Sequence, residues 1–128
     1  MNPAENLIEP KNYTFYTTEK EVKQFDIWKV EWKNNPKNIQ LAVIVQTNYL
    51  NMAYHASFVV CPIVDLCMFR FWLLRIIVPI KNHGYREIVL DQVCTISGQA
   101  LVERVDILSN ADRQKLRRNL CIIMGFTI

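Results

Sequence analysis

From Phe25 to Trp32 apolar and polar side chains alternate: Phe25, Ile27, Val30 and Trp32 are apolar, with Asp26, Lys29 and Glu31 between them. A period of two is the pattern of a half-buried strand, and its slip at Trp28 predicts a bulge or an edge position. Lys33–Gln40, with Asn34, Asn35 and Pro36, reads as a turn. The unbroken branched run Leu41–Val45 predicts a buried strand, and Thr47–Ala56 a loop or short helix. Phe58–Val64 and Leu73–Ile80 predict two further strands, the second followed by a turn at Asn82, His83 and Gly84. Glu87–Leu90 and Val93–Ile96 read as one strand bent around Asp91 and Gln92, and Ala100–Val105 as a last short strand.

The pattern then changes period. Ser109 is placed to cap a helix, with Asp112 completing a capping-box-like spacing. Leu116, Leu120 and Ile123 recur at helical spacing as a buried stripe, and Gly125 suits the left-handed residue that ends a helix. Residues 1–23, polar with Pro3 and Pro10, show no period. They are expected to be an extension outside the main core, either a loosely held terminus or an arm over a site, leaving residues 24–128 as the domain. Five or six short strands and a terminal helix predict a mainly β, α+β fold: a small β-barrel-like sheet with helical cover.

A length of 128 residues with 51% apolar content fits one domain and excludes a wholly disordered chain. The net charge of +3 permits a nucleic-acid partner without requiring one. Cys61, Cys67, Cys94 and Cys121 form no CxxC pair, and His55 and His83 sit in no ligand spacing, so neither a metal nor another cofactor is expected. Free thiols in apolar runs point to a reduced, cytoplasmic protein. No signal peptide is evident. Phe58–Ile80 is apolar enough to test as a membrane span, but Asp65, Arg70, Arg75, Pro62 and Pro79 fall within it. Mid-bilayer charges cost roughly 2.5–3.5 kcal/mol each, so two buried strands are expected instead.

Three blocks, in order and at matching spacing, resemble the CcdB/PemK/MazF toxins of toxin–antitoxin pairs. They are Gln24-Phe25-Asp26-Ile27-Trp28; Ala42-Val43-Ile44-Val45-Gln46-Thr47-Asn48 with Val59-Val60-Cys61-Pro62-Ile63; and Ile88-Val89-Leu90-Asp91-Gln92-Val93-Cys94-Thr95-Ile96 ahead of Leu108-Ser109 and the closing helix. The resemblance implies an SH3-like, CcdB-type barrel, a cognate antitoxin and a homodimer. For the PemK/MazF branch it implies metal-independent cleavage of single-stranded RNA by in-line attack of the 2′-hydroxyl. That chemistry needs proton transfer and a cation facing the pentavalent phosphorus.

The family typically places an Arg before a Pro on its second strand and a Thr or Ser after the Pro-Ile of its third. Here those positions hold Gln40-Leu41 and Val64-Asp65, and the glycine-rich first loop is missing. Loss of one such group typically costs ~10²–10³ in rate, so the familiar site is expected to be absent or rebuilt. Asp91 matches a carboxylate used by part of the family; alternatively it only turns a strand end. With Gln92, Gln40 and Asp65 it forms the catalytic candidate set, and His55 could lie near the same face.

Lys37, Arg75, Arg113 and Arg117 are candidate RNA contacts, the last two from a basic helix face that also includes Lys115 and Arg118. For Arg75 the alternative is a carboxylate partner, and for the helix face simple solvation. Phe69, Phe71 and Trp72 are candidates for a dimer or antitoxin interface, or for packing within an insertion. The lost nuclease residues and the apolar, Gly125-containing end also resemble the CcdB branch, which poisons DNA gyrase. An RNA-cleaving toxin, a gyrase poison and an inactive binding module are thus the functions in contention.

Overall fold

The computed structural model describes residues 20–52, 56–67 and 71–126. Seven strands make one sheet: β1 (Asp26–Glu31), β2 (Ile39–Ile44), β3 (Ser57–Asp65), β4 (Arg75–Ile80), β5 (Gly84–Val89), β6 (Cys94–Ser97) and β7 (Leu101–Ile107). A single turn of helix, α1 (Asn48–Asn51), follows β2, and the long helix α2 (Asn110–Met124) closes the chain. The strands run in the order β4-β5-β3-β2-β1-β7, every adjacent pair antiparallel, with β6 on the remaining length of β3.

The unbroken apolar run of β2 follows from burial of the sheet on both faces. Leu41 and Val43 face a layer with Ile27, Cys61, Ile63, Ile88 and Leu116 of α2. Ala42 and Ile44 face a second layer with Trp28, Val30, Phe58, Val60 and Leu101, closed by Cys94 and Ile96 of β6. Val22 joins this second layer, and Lys20 Nζ donates to the Gly98 carbonyl at 3.3 Å, so the chain is held from Lys20 onward. The rest of the expected extension lies outside the described residues.

The slip in the β1 pattern is a bulge: its register against β7 shifts between Ile27 and Trp28 and again between Lys29 and Val30. It is not an edge, because β2 pairs with its other side. The expected bent strand is two strands. A 3₁₀ turn at Leu90–Gln92 interrupts the ladder, and β5 and β6 then pair with successive stretches of β3. β4 and β7 end the strand order, β6 pairs only with β3, and the Lys81 amide at the end of β4 donates to Asp106 Oδ2 on β7 at 2.8 Å.

Helix α2 begins and ends as its sequence requires. Ser109 Oγ accepts the Asp112 amide at 3.2 Å, and Gly125 takes φ 75°. Leu116 is fully buried, with Leu120 and Ile123 packed beside it. Arg113 and Arg117 place their guanidiniums 5.5 and 5.8 Å from the centre of the Phe25 ring, and Arg113 Nε donates to the Leu108 carbonyl at 2.9 Å. These cations therefore fasten the helix over a core aromatic.

Leu116→Ala removes the central side chain of the helix interface and is expected to cost about 2–5 kcal/mol in urea unfolding. A second stability prediction concerns the thiol beneath the helix. Burial, with smaller contributions from Cys94 and Asp91, pushes the Cys61 thiol from 9.0 up to about 12. A pKa raised in the folded state means that this stabilisation is complete below pH 9 and is lost as pH rises from 9 towards 12. Cys61→Val, close in volume, is expected to flatten that alkaline decline in unfolding curves taken between about pH 8 and 11.

Candidate functional site

Register places the substituted positions together. Leu41 lies opposite Ile63, Val64 opposite Glu87, and Glu87 opposite Ile77. Gln40 and Val64 are therefore cross-strand neighbours, and the same row continues through Glu87 to β4. The strand pairing thus brings together the two positions where the resembled family carries Arg and Thr or Ser, although neither catalytic side chain is present.

At the far end of the row lies an acid–guanidinium cluster. Glu87 is fully buried and accepts the Cys67 amide at 2.8 Å and the Cys67 thiol at 3.6 Å. Arg75 Nε lies 3.9 Å from Glu87, while Arg75 Nη1 donates to Asp91 Oδ1 at 3.0 Å. A fully buried carboxylate survives only with such partners, so Glu87 and Arg75 fix each other. Asp91, with 40% of its side chain exposed, is the solvent-facing member. The Cys67 thiol is held above its ordinary range by partial desolvation and by the Glu87 carboxylate.

A groove of about 440 Å³ opens at the other end of the row. Leu41, Ile63 and Val64 supply apolar lining, and Lys29, Gln40, Asp65, His83 and Arg86 supply polar groups. Arg86 is held by Asp65 Oδ1 and, through Nε, by the His83 carbonyl at 2.9 Å. Lys29 pairs with Glu103 at 3.3 Å. The Gln40 amide is turned towards Asn38 Oδ1 at 3.1 Å.

The sequence-derived candidates thus divide. Asp91 and Arg75 come together; Gln40 and Asp65 share the groove; Asp91 and Gln92 do not line it. Gln92 is exposed in the 3₁₀ turn, and Lys37 is exposed in the β1–β2 connection, outside the groove. Arg113 and Arg117, candidate RNA contacts, lie over the Phe25 ring. Phe71 and Trp72 are 55% and 62% exposed; Phe69 and His55 lie outside the described residues. The sequence reading missed Lys29, His83, Arg86 and Glu87, whose signal was the ladder register rather than any motif. Among the described residues no group of three His, Cys, Asp or Glu is placed to hold a metal ion, and no helix is long and apolar enough to cross a membrane.

Solved structures share this fold at low identity. An endoribonuclease in complex with its cognate antitoxin from a mycobacterial species is 14% identical, covers 85% of this chain and 98% of its own, and superposes with a TM-score of 0.67. MazF from Deinococcus radiodurans is 10% identical, covers 84% and 100%, and gives 0.69. A MazE–MazF complex from the same organism is also 10% identical, covers 85% and 100%, and gives 0.66. No curated protein sequence matches significantly. The match of a family model over residues 23–124 favours the PemK/MazF branch over the gyrase poison. With the Asp-Gln turn, the capped helix and the sheet order in agreement, the chain belongs to the PemK-like, MazF-like toxins of type II toxin–antitoxin systems.

Proposed function

We propose that this toxin cleaves single-stranded RNA without a metal, using a site in which the cation comes from β4 instead of β2. The observation that carries the reading is the Arg75–Asp91 pair at 3.0 Å, beside the row that holds Gln40 and Val64. Asp91 takes the proton of a ribose 2′-hydroxyl. The 2′-oxygen–phosphorus bond forms, the phosphorus–5′-oxygen bond breaks, and the leaving 5′-oxygen takes a proton from water. The products are a 2′,3′-cyclic phosphate and a 5′-hydroxyl. The Arg75 guanidinium acts as positive charge against the phosphorane oxygens. Buried Glu87 is its positioning residue.

The same reading makes the protein a cytoplasmic, cofactor-free toxin domain, residues 24–128, restrained by a cognate antitoxin. It acts as a homodimer, with exposed Phe71 and Trp72 as the apolar surface available to that contact.

The test is cleavage of a fluorogenic single-stranded RNA in EDTA by the full chain. Wild type is expected to cut, and Asp91→Asn to slow cutting by about 10²–10³ with unchanged thermal unfolding. Arg75→Lys, which keeps a charge for Glu87, is expected to fall between them. No cleavage by wild type, or full cleavage by Asp91→Asn, overturns the assignment.

A further inference from the structure

At the opposite end of β2 from Gln40 the chain turns through α1, and hydrogen bonds hold that turn in place. Buried Gln46 donates through Nε2 to Asn51 Oδ1 at 2.9 Å and to the Ser57 carbonyl at 3.2 Å, and its Oε1 accepts the Val59 amide at 3.2 Å. Asn51 Nδ2 donates back to the Gln46 carbonyl at 3.0 Å. Asn48 Oδ1 accepts the Gln24 amide at 2.7 Å, which ties the turn to the incoming chain. This fixed turn nevertheless presents Tyr49 and Met52 at 84% and 80% exposure. A mainly apolar groove of about 410 Å³ lies beside it, lined by Asn48, Asn51 and Met52 from the turn and by residues 20–23 from the incoming chain. The incoming wall is fixed as well: Val22 is buried with Trp28 and Phe58, and Lys20 Nζ donates to the Gly98 and Leu101 carbonyls.

We propose that the segment ahead of Lys20 folds back into this groove, with Tyr13-Thr14-Phe15-Tyr16 as its occupant. This contact does not depend on whether the chain cuts RNA. The residues concerned precede the family match, which begins at residue 23, so the occupant is an addition to the toxin domain. Connectivity favours it over a separate partner. Four extended residues span at most about 14 Å, so Tyr16 stays within reach of the groove that Lys20 itself lines. A segment joined by so short a link acts at an effective concentration on the order of millimolar, and weak contacts then suffice to fill the groove. Both walls are already fixed, so the segment alone loses freedom on docking. Charge agrees: residues 1–19 hold three glutamates and one lysine, and on the near wall Lys20 and Lys23 outnumber Glu21. An aromatic ring seated against Met52 gains a sulfur–aromatic contact in addition to the apolar area removed from water. The result is a strap that covers the α1 face and leaves the rim around Gln40 open.

The experiment uses the full chain with photoreactive p-benzoylphenylalanine in place of Phe15, illuminated and then digested for mass spectrometry. The expected product is an adduct within one chain, to Met52 or to residues 20–23. A parallel cycle follows urea unfolding of Met52→Ser, of the triple variant Tyr13→Ser, Phe15→Ser and Tyr16→Ser, and of the two combined. Each is expected to lower the folding equilibrium constant roughly fivefold. The combination is expected to lower it by little more than either alone, because the same contact is lost in all three. Adducts to Gln40 or Arg86 place the segment over the rim groove and overturn the proposal. Adducts that join two copies overturn it in favour of a contact between chains. Where no adduct forms the cycle decides: additive losses overturn the strap, and non-additive losses uphold it.

Discussion

Burial of the central strands on both faces is the constraint from which the rest follows. β1, β2 and β3 feed one set of side chains to α2 and the alternate set to the layer closed by β6. Such strands have no wet face on which to mount chemistry, so polar groups collect where the ladder runs out. Gln40 stands near the start of β2, Asp65 at the end of β3, and Asp91 in the 3₁₀ turn that breaks β5 from β6. The toxin's candidate sites are therefore rim sites, and their composition can change while the core stays fixed. This accounts for an unmistakable family fold with no arginine or hydroxyl at the expected places.

The fold was legible because its determinants are local and periodic. The apolar run of β2, the Ser109 cap, the Leu116 stripe and Gly125 each state their structure within a few residues. The bulge in β1 was also readable, as a slip at Trp28, but its alternative reading as an edge could be resolved only by β7, a partner strand from the other end of the chain. The division of the long Glu87–Ile96 segment depends on β3 offering two successive pairing stretches, which no local pattern encodes. The site was less legible still. Asp91 and Arg75 were identifiable as chemistry-bearing residues, but their meeting is set by the β4–β5 register. Arg113 and Arg117 read as a basic face, but a helical wheel does not show that Phe25 lies beneath them.

Under the proposed reading, Glu87 is what allows the cation to come from β4 instead of β2. An arginine on β2 would stand in the row as Gln40 does, reaching across the ladder towards Val64. An arginine on β4 must instead be held in from the edge, where its long side chain would otherwise extend into water. A fully buried carboxylate two residues before Val89, itself the register partner of Arg75, supplies that hold. The cost of burying Glu87 is offset by the Cys67 amide and by the guanidinium, so removing either partner weakens the hold on the other. Asp91 then meets the outer edge of an arginine already fixed from within. The two carboxylates thus differ in place: the buried one holds Arg75 from within, and the exposed one meets it from the solvent side. This division, more than the identity of any single residue, is what the proposed RNA-cleaving centre depends on in a barrel with no arginine at position 40.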